Sequence, residues 1–279
     1  MPAFERDGLT LSYEEAGDSD SPPVVVLHGF TSDNRMWLPV AGALAEDYRV
    51  IAPDMRGHGA STSPEDLDSY TIEAFAEDTR ALLDSLEVDI CVIAGCSFGG
   101  MVALQFATTW PERLAGLVLS DTSAVWEHPE YDEKYHAREA GITAQIDIVD
   151  RFGTAELGKR AARDVADEFL AEGIRNRYAR MSREGFLGTA RVRQQRGNLL
   201  PVLRERVTMP TLVCIGEDDP VRSASNVMVR ELPEARYLTF KATGHGIPAL
   251  RPEAYAREVL QFFTDIEEAR PIAGARTIG

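Results

Sequence analysis

The sequence predicts an α/β protein: a mostly parallel sheet covered by helices on both faces, with a helical segment inserted in it. Short apolar runs of strand length alternate with segments of helical period along most of the chain, as in sheets whose parallel strands are connected by helices. This alternation stops near residue 124 and resumes near residue 208. With 279 residues and 44% hydrophobic content, the chain suits one large domain with a full core.

Seven apolar runs predict strands, and five segments of helical period predict the helices between them. The predicted strands span residues 9–15, 24–27, 50–52, 90–95, 117–120, 211–216 and 237–240. The first of these is expected to be an antiparallel edge strand. The predicted helices span residues 37–45, 72–86, 100–109, 223–232 and 254–263.

Residues 124–207 carry helical periods and no convincing strand, which predicts a helical cap. The core then consists of residues 1–123 and 208–267, and residues 268–279 are expected to form a flexible tail. The cap holds 15 Lys and Arg against 14 Asp and Glu; the whole chain holds 29 against 45, which leaves 14 against 31 outside the cap. Its arginines are interpreted as solvated helix faces, with attraction of anionic groups as the alternative.

The charge of the chain narrows the classes of partner. A formal net charge of −16 and a pI near 4.8 disfavour nucleic acid and anionic membrane surfaces, so a small-molecule partner is expected.

Three cysteines do not indicate a disulfide framework. The first residues lack the pattern of a secretory leader and no apolar stretch has the length of a membrane span, so a soluble cytoplasmic protein is expected. The sequence predicts no particular oligomeric state.

The segment Gly95-Cys96-Ser97-Phe98-Gly99 lies between a predicted strand and an apolar helical stretch. In this context a G-x-S-x-G sequence presents a serine nucleophile on a sharp turn, and the glycines leave room for that turn. The turn aims the serine above the carboxyl ends of the strands, where open parallel sheets bind ligands. Ser97 is therefore the candidate nucleophile, and Cys96 is expected to pack beneath the turn.

A serine hydroxyl needs a base, and His245 is the candidate. It lies in a loop between the last predicted strand and the last predicted helix, and the order serine, acid, histidine is typical of this motif. The acid is expected after the strand at 211–216, where Asp218 and Asp219 are adjacent. Asp121, directly after the strand at 117–120, is a further candidate.

Acyl transfer places negative charge on a carbonyl oxygen, which backbone N–H groups stabilise. The predicted donors are the N–H of Phe98, the residue after the nucleophile, and the N–H of Phe30, in the loop after the strand at 24–27. His28 is interpreted as bracing that loop. His128 and His136 lie in the cap without a partner at ligand spacing, and the chain lacks a phosphate-binding glycine loop. Neither a metal nor a cofactor is expected.

Together these motifs resemble those of the α/β-hydrolase superfamily over about residues 10–265. The motifs are His28-Gly29-Phe30 and residues 54–61, 95–100, 216–219 and 244–245. Residues 117–122 and Pro252 suggest the branch that contains 3-oxoadipate enol-lactonases, carboxylesterases and cofactor-free haloperoxidases. The resemblance implies the α/β-hydrolase fold, Asp219 as the acid because it stands three residues after Gly216, and a structural role for His58. It also disfavours dehalogenase and epoxide hydrolase activity, because those relatives carry aspartate in place of the serine.

The predicted function is a serine hydrolase with a Ser97–His245–Asp219 triad that cleaves a small-molecule carboxylic ester or lactone. A carbon–carbon bond hydrolase of the meta-cleavage type uses the same residues and is the alternative within enzymes. A non-enzymatic ligand receptor on the same fold is the alternative outside them. The acyl group and the alcohol depend on cap side chains, whose arrangement periodicity does not predict.

Overall fold

The computed structural model describes residues 2–232 and 234–279, and nine strands form one sheet within them. The strands are β1 (Ala3–Arg6), β2 (Leu9–Ala16), β3 (Pro23–Leu27), β4 (Arg49–Pro53), β5 (Cys91–Cys96), β6 (Leu114–Ser120), β7 (Thr211–Gly216), β8 (Arg236–Phe240) and β9 (Gly274–Ile278). Their order across the sheet is β1-β2-β4-β3-β5-β6-β7-β8-β9. From β4 to β9 all neighbours are parallel, which confirms the predicted fold class.

Ten α-helices of the described residues cover the sheet and form the segment between β6 and β7. They are α1 (Leu38–Leu44), α2 (Ile72–Ser85), α3 (Phe98–Thr109), α4 (Glu133–Ala161), α5 (Glu168–Ala179), α6 (Arg183–Gln195), α7 (Leu200–Arg206), α8 (Arg222–Arg230), α9 (Ile247–Leu250) and α10 (Pro252–Glu267). Helix α4 is interrupted at Gly153, where φ is 79°. Residues 124–207, which we call the cap, thus contain α4 to α7 and no strand.

The two faces of the sheet carry separate parts of the core. Along β3, Val25 and Leu27 point into a cluster with α2 and α3, whereas Val24 and Val26 point into a cluster with α1 and α10. This is the period of two that a strand buried on both faces requires. The helices that cover one face therefore include α3, the helix that begins beside Ser97.

The sheet is wider at both edges than the sequence predicts. The segment predicted as the antiparallel edge, β2, pairs with β4 as expected but is itself covered by β1. The prediction of a flexible tail is wrong for residues 274–278, which form β9 and pair in parallel with β8. Burial of Ile278 in the core and the exposed hydrogen-bonding edge of β8 explain this strand.

No helix in the described part of the chain combines the length and the apolar composition needed to cross a bilayer.

Candidate active site

Ser97 lies on a sharp turn between β5 and α3. Its φ of 55° and ψ of −113° are far from the conformations that residues with side chains prefer. The flanking glycines permit the turn: a Cβ at Gly95 would lie 2.3 Å from the carbonyl oxygen of Gly99, and one at Gly99 would lie 2.2 Å from that of Leu27. The end of β6 also holds the turn, because the Ser97 N–H donates to the Ser120 carbonyl over 2.8 Å.

His245 connects Ser97 to Asp219 through two hydrogen bonds. Its Nε2 lies 2.9 Å from Ser97 Oγ, and its Nδ1 lies 2.9 Å and 3.1 Å from the two carboxylate oxygens of Asp219. With the proton on Nδ1, His245 donates to Asp219 and presents a lone pair to the serine hydroxyl. The structure therefore brings together the three side chains that the sequence predicts as nucleophile, base and acid.

Burial and hydrogen bonding distinguish Asp219 from the adjacent Asp218. Asp219 is buried and accepts a further hydrogen bond from the Val221 N–H over 2.7 Å, whereas Asp218 is exposed. Burial opposes ionisation of Asp219, but its hydrogen bond to His245 and the charge of that ring outweigh burial and lower its pKa. Asp219 is therefore the carboxylate that is paired with the histidine.

Asp121 makes no hydrogen bond to the His245 ring, although the sequence leaves it as a candidate. One of its carboxyl oxygens accepts from the N–H groups of Gly246 and Ile247 over 3.0 Å and 2.8 Å. Burial, together with the charge of Asp219, raises its pKa well above the ordinary value. Asp121 thus holds the backbone that follows the histidine, a role that only the folded loop reveals.

The loop after β3 passes against the serine turn. A Cβ at Gly29 would lie 3.5 Å from Ser97 Cβ, and the Phe30 ring packs on Phe186 of the cap with centroids 4.9 Å apart. The N–H groups of Phe30 and Phe98 have no acceptor among the described residues. Both predicted donors are consequently available beside the nucleophile.

His28 and His58 are buried behind the site, with ring centroids 5.0 Å apart. His28 Nδ1 lies 3.0 Å from the Gly29 carbonyl, and its Nε2 accepts the Met55 N–H over 3.1 Å. His58 Nδ1 lies 3.0 Å from the Arg56 carbonyl. Neither imidazole is hydrogen-bonded to Ser97, and both hold loop backbone in place.

The two buried histidines lead to a prediction about stability and pH. Burial lowers the pKa of His28 to about 4, and burial, with a smaller contribution from His28, lowers that of His58 to about 3. Below about pH 6.5 these histidines are protonated in the unfolded chain but remain neutral in the folded chain. Their contribution to the free energy of unfolding is therefore full above pH 6.5 and is lost as pH falls towards 4. Each histidine should remove about 2 kcal/mol of the free energy of unfolding between pH 7 and pH 5.

Urea unfolding at the two pH values checks this in the parent, His28→Gln and His58→Gln, with the exposed His136→Gln as control. The raised pKa of Asp121 contributes a slope of opposite sign, since its protonated form is favoured by folding. The readout is therefore the difference between parent and variant. An unchanged pH dependence in both buried variants, with a normal control, would contradict the assignment.

Cys96, which precedes the nucleophile, is buried beneath the turn, as the sequence predicts. Its Sγ lies 3.9 Å from a carboxyl oxygen of Asp121. Burial, reinforced by the nearby carboxyl groups, raises the pKa of this thiol well above its ordinary value. Since the thiolate is the reactive form of cysteine, Cys96 is unsuited to act as nucleophile.

A cavity of about 500 Å³ opens at Ser97 and His245, between the core and the cap. From the cap, α4 contributes Arg138, Ile142 and Gln145, and α5 contributes Arg177 and Tyr178. Arg138 is a residue that sequence reasoning does not single out: its Nη2 lies 3.1 Å from His245 Nε2. The near-neutral charge of the cap was the one signal that pointed towards it.

A larger cavity of about 620 Å³ lies beside the loop after β3 and strands β2 and β4. Its lining includes Trp37, Leu38 and Asp54 but none of Ser97, Asp219 and His245. Asp54 is engaged in holding its own turn, where it accepts from the N–H groups of Asn34 and Ala60. Among the described residues, no group of three or more His, Cys, Asp or Glu side chains is placed to hold a metal ion.

Comparison with known proteins identifies the family. A family model described as the alpha/beta hydrolase family matches residues 24–258. Epoxide hydrolase 4 of Mus musculus is 26% identical over 87% of this chain and 72% of its own length, and 3-oxoadipate enol-lactonase 2 of Acinetobacter baylyi is 28% identical over 81% and 84%. A thermophilic esterase from Thermogutta terrifontis, 27% identical, covers 95% of this chain and 97% of its own with a TM-score of 0.79. The chain belongs to the alpha/beta hydrolase family.

Proposed function

We propose that the protein is a serine hydrolase that cleaves a carboxylic ester or lactone of a small molecule through an acyl-enzyme on Ser97. The observation that carries this proposal is the continuous set of hydrogen bonds from Ser97 through His245 to Asp219, which opens into a cavity of about 500 Å³. Similarity to an enol-lactonase and an esterase supports the same reaction class.

In the first half of the reaction, Ser97 Oγ attacks the scissile carbonyl carbon while His245 Nε2 takes the hydroxyl proton. Asp219 holds the ring through Nδ1 and stabilises the imidazolium that forms. The N–H groups of Phe30 and Phe98 bind the oxyanion. Transfer of the proton from His245 to the leaving oxygen then releases the alcohol, or opens the ring of a lactone.

In the second half, His245 accepts a proton from water, and the resulting hydroxide attacks the acyl carbon. Collapse of the second tetrahedral intermediate breaks the bond to Ser97 Oγ and returns the proton from His245 to the serine. The products are a carboxylic acid and a free enzyme. Every proton in this cycle moves through His245, and no cofactor is required.

The proposal is tested by a hydrolysis screen of the purified protein over simple esters, enol-lactones and larger lactones, with Ser97→Ala as the blank. Turnover of at least one class that disappears in the blank is expected. A ring-fission dienoate in the same screen tests the carbon–carbon bond alternative. A saturable thermal shift by small molecules without hydrolysis of any substrate would instead favour a ligand receptor.

A further inference from the structure

The cavity at Ser97 is cationic, although the chain as a whole is strongly acidic. The cavity-lining residues of the described chain include Arg138 and Arg177 and no Asp or Glu. The whole chain has a formal net charge of −16. A pocket of opposite sign to the rest of the protein attracts anions, and arginine pairs with carboxylates in a bidentate geometry.

Arg138 has an incomplete set of partners. One nitrogen, Nη2, is 3.1 Å from His245 Nε2, which is also the atom that accepts the Ser97 hydroxyl. A neutral imidazole nitrogen offers one lone pair, so the two donors compete for it. An anion that engaged Arg138 would give the guanidinium a better acceptor and leave Nε2 to the serine.

The acidic partner of Arg138 is shared. Its Nη1 bonds to Glu139, but both oxygens of that carboxylate already accept from Arg193 Nη2, over 2.7 Å and 2.8 Å. Arg193 is 1% exposed, and its Nε and Nη1 have no partner among the described residues. Burial lowers the pKa of Arg193 to about 10, which still leaves it charged at neutral pH. One carboxylate is therefore shared by two guanidiniums, that of Arg138 in the cavity wall and that of the buried Arg193.

Arg177 adds charge from the second cap helix. Its guanidinium lies 4.9 Å from the centroid of the Tyr178 ring, and it makes no ion pair within residues 2–232 and 234–279. Phe30, which carries one of the proposed oxyanion donors, lies 5.3 Å beneath the Arg193 guanidinium. The positive charge thus lies on the cap side of the cavity that opens at Ser97.

We propose that the substrate carries a free carboxylate besides the scissile ester or lactone, and that Arg138 and Arg177 bind it in the cavity. This rests on the proposed function for the reaction itself and adds the substrate class: half-esters and lactones of dicarboxylic acids. When the carboxylate binds, Arg138 Nη2 leaves His245 Nε2. Recognition of the substrate therefore also frees Nε2 to accept the Ser97 proton. Arg138 and Arg177 are specificity-determining residues.

The test uses substrate pairs of equal length that differ in one group. Mono-ethyl esters of dicarboxylic acids from succinate to suberate are each compared with the ester in which the free carboxylate is replaced by a carboxamide. We expect kcat/KM of the parent to favour the carboxylate at least about tenfold for the best-fitting pair, mainly through KM. Arg138→Gln and Arg177→Gln should each lower that preference, and Arg138→Lys should keep more of it than Arg138→Gln.

Arg175→Gln is the matched control, because Arg175 lies on α5 two residues before Arg177 and does not line the cavity. It should keep the preference of the parent. Equal hydrolysis of both members of every pair by the parent would overturn the inference while leaving the proposed function intact. Retention of the full preference in Arg138→Gln and Arg177→Gln would also overturn it.

Binding gives a readout that needs no turnover. Calorimetric titration of Ser97→Ala with succinate, glutarate and adipate should show binding that weakens at least about tenfold when Arg138→Gln is added. If no ester or lactone is hydrolysed but a dicarboxylate binds through Arg138, the reaction assignment fails and the recognition site stands. Absence of binding by all three dicarboxylates would count against the recognition site.

Discussion

Replacing Ser97 with alanine is expected to lower kcat on any ester or lactone that the protein hydrolyses by about five to six powers of ten. The reason is that Ser97 Oγ, which lies 2.9 Å from His245 Nε2, is the group proposed to form the acyl-enzyme. Without it, no other side chain in the chain of hydrogen bonds can make that bond. The activity that remains measures how far the backbone donors and the cavity accelerate direct attack by water on the substrate. Initial rates over a wide range of enzyme concentration are needed to reach that floor.

The alanine variant should keep the fold, since the substitution removes one oxygen and leaves the backbone unchanged. Circular dichroism and the thermal midpoint serve as controls. Stopped-flow release of a chromogenic alcohol provides a second readout, because the parent can show a burst that the variant cannot. Turnover of the variant at the rate of the parent would exclude Ser97 as the nucleophile.

Replacing Asp219 with asparagine is expected to lower kcat/KM by about four powers of ten. The asparagine amide can donate towards His245 Nδ1, which favours the tautomer with its proton on Nε2. That proton lies where Ser97 must donate its own, so the base is blocked. The measurement is kcat/KM against pH on the best substrate of the hydrolysis screen.

Asp218→Asn is a control of unusual closeness: the same substitution, one residue earlier, at an exposed side chain. It should leave kcat/KM near that of the parent. Loss of activity in Asp218→Asn with retention in Asp219→Asn would reverse the assignment of the acid. Equal and small effects of both would indicate that His245 does not depend on a carboxylate.

The central part of the fold is predictable because buried parallel strands are continuous apolar runs. The strand predicted at 211–216 has the same bounds in the structure, and the others differ by a few residues at their ends. The outer strands have weaker signals. Strand β1 is short and has no buried residue, β9 is short and mostly exposed, and both form because a neighbouring strand offers unpaired backbone groups. Such pairing is a property of the assembled sheet and leaves little pattern in the local sequence.

The candidate site likewise has residues that the sequence predicts and residues that it does not. Each residue of the proposed triad follows a predicted strand: Ser97, Asp219 and His245. The topology of a parallel sheet therefore brings them together at the carboxyl ends of the strands, before any side-chain geometry is known. Arg138 follows no such rule, because it lies on a cap helix whose position depends on packing against Phe30 and the core. The sequence does not indicate the function of Asp121 either, because its partners are backbone N–H groups, which every residue except proline carries.

The backbone of Ser97, with φ at 55°, has a consequence for engineering and for evolution. A residue with a side chain in such a conformation costs on the order of 1–3 kcal/mol, a sizeable part of the 5–15 kcal/mol that typically stabilises a domain. Glycine would relieve that strain and abolish the hydroxyl. Selection for heat resistance alone would therefore favour glycine at position 97, which lacks the hydroxyl. Engineering for thermostability must keep Ser97 or screen for turnover in the same step.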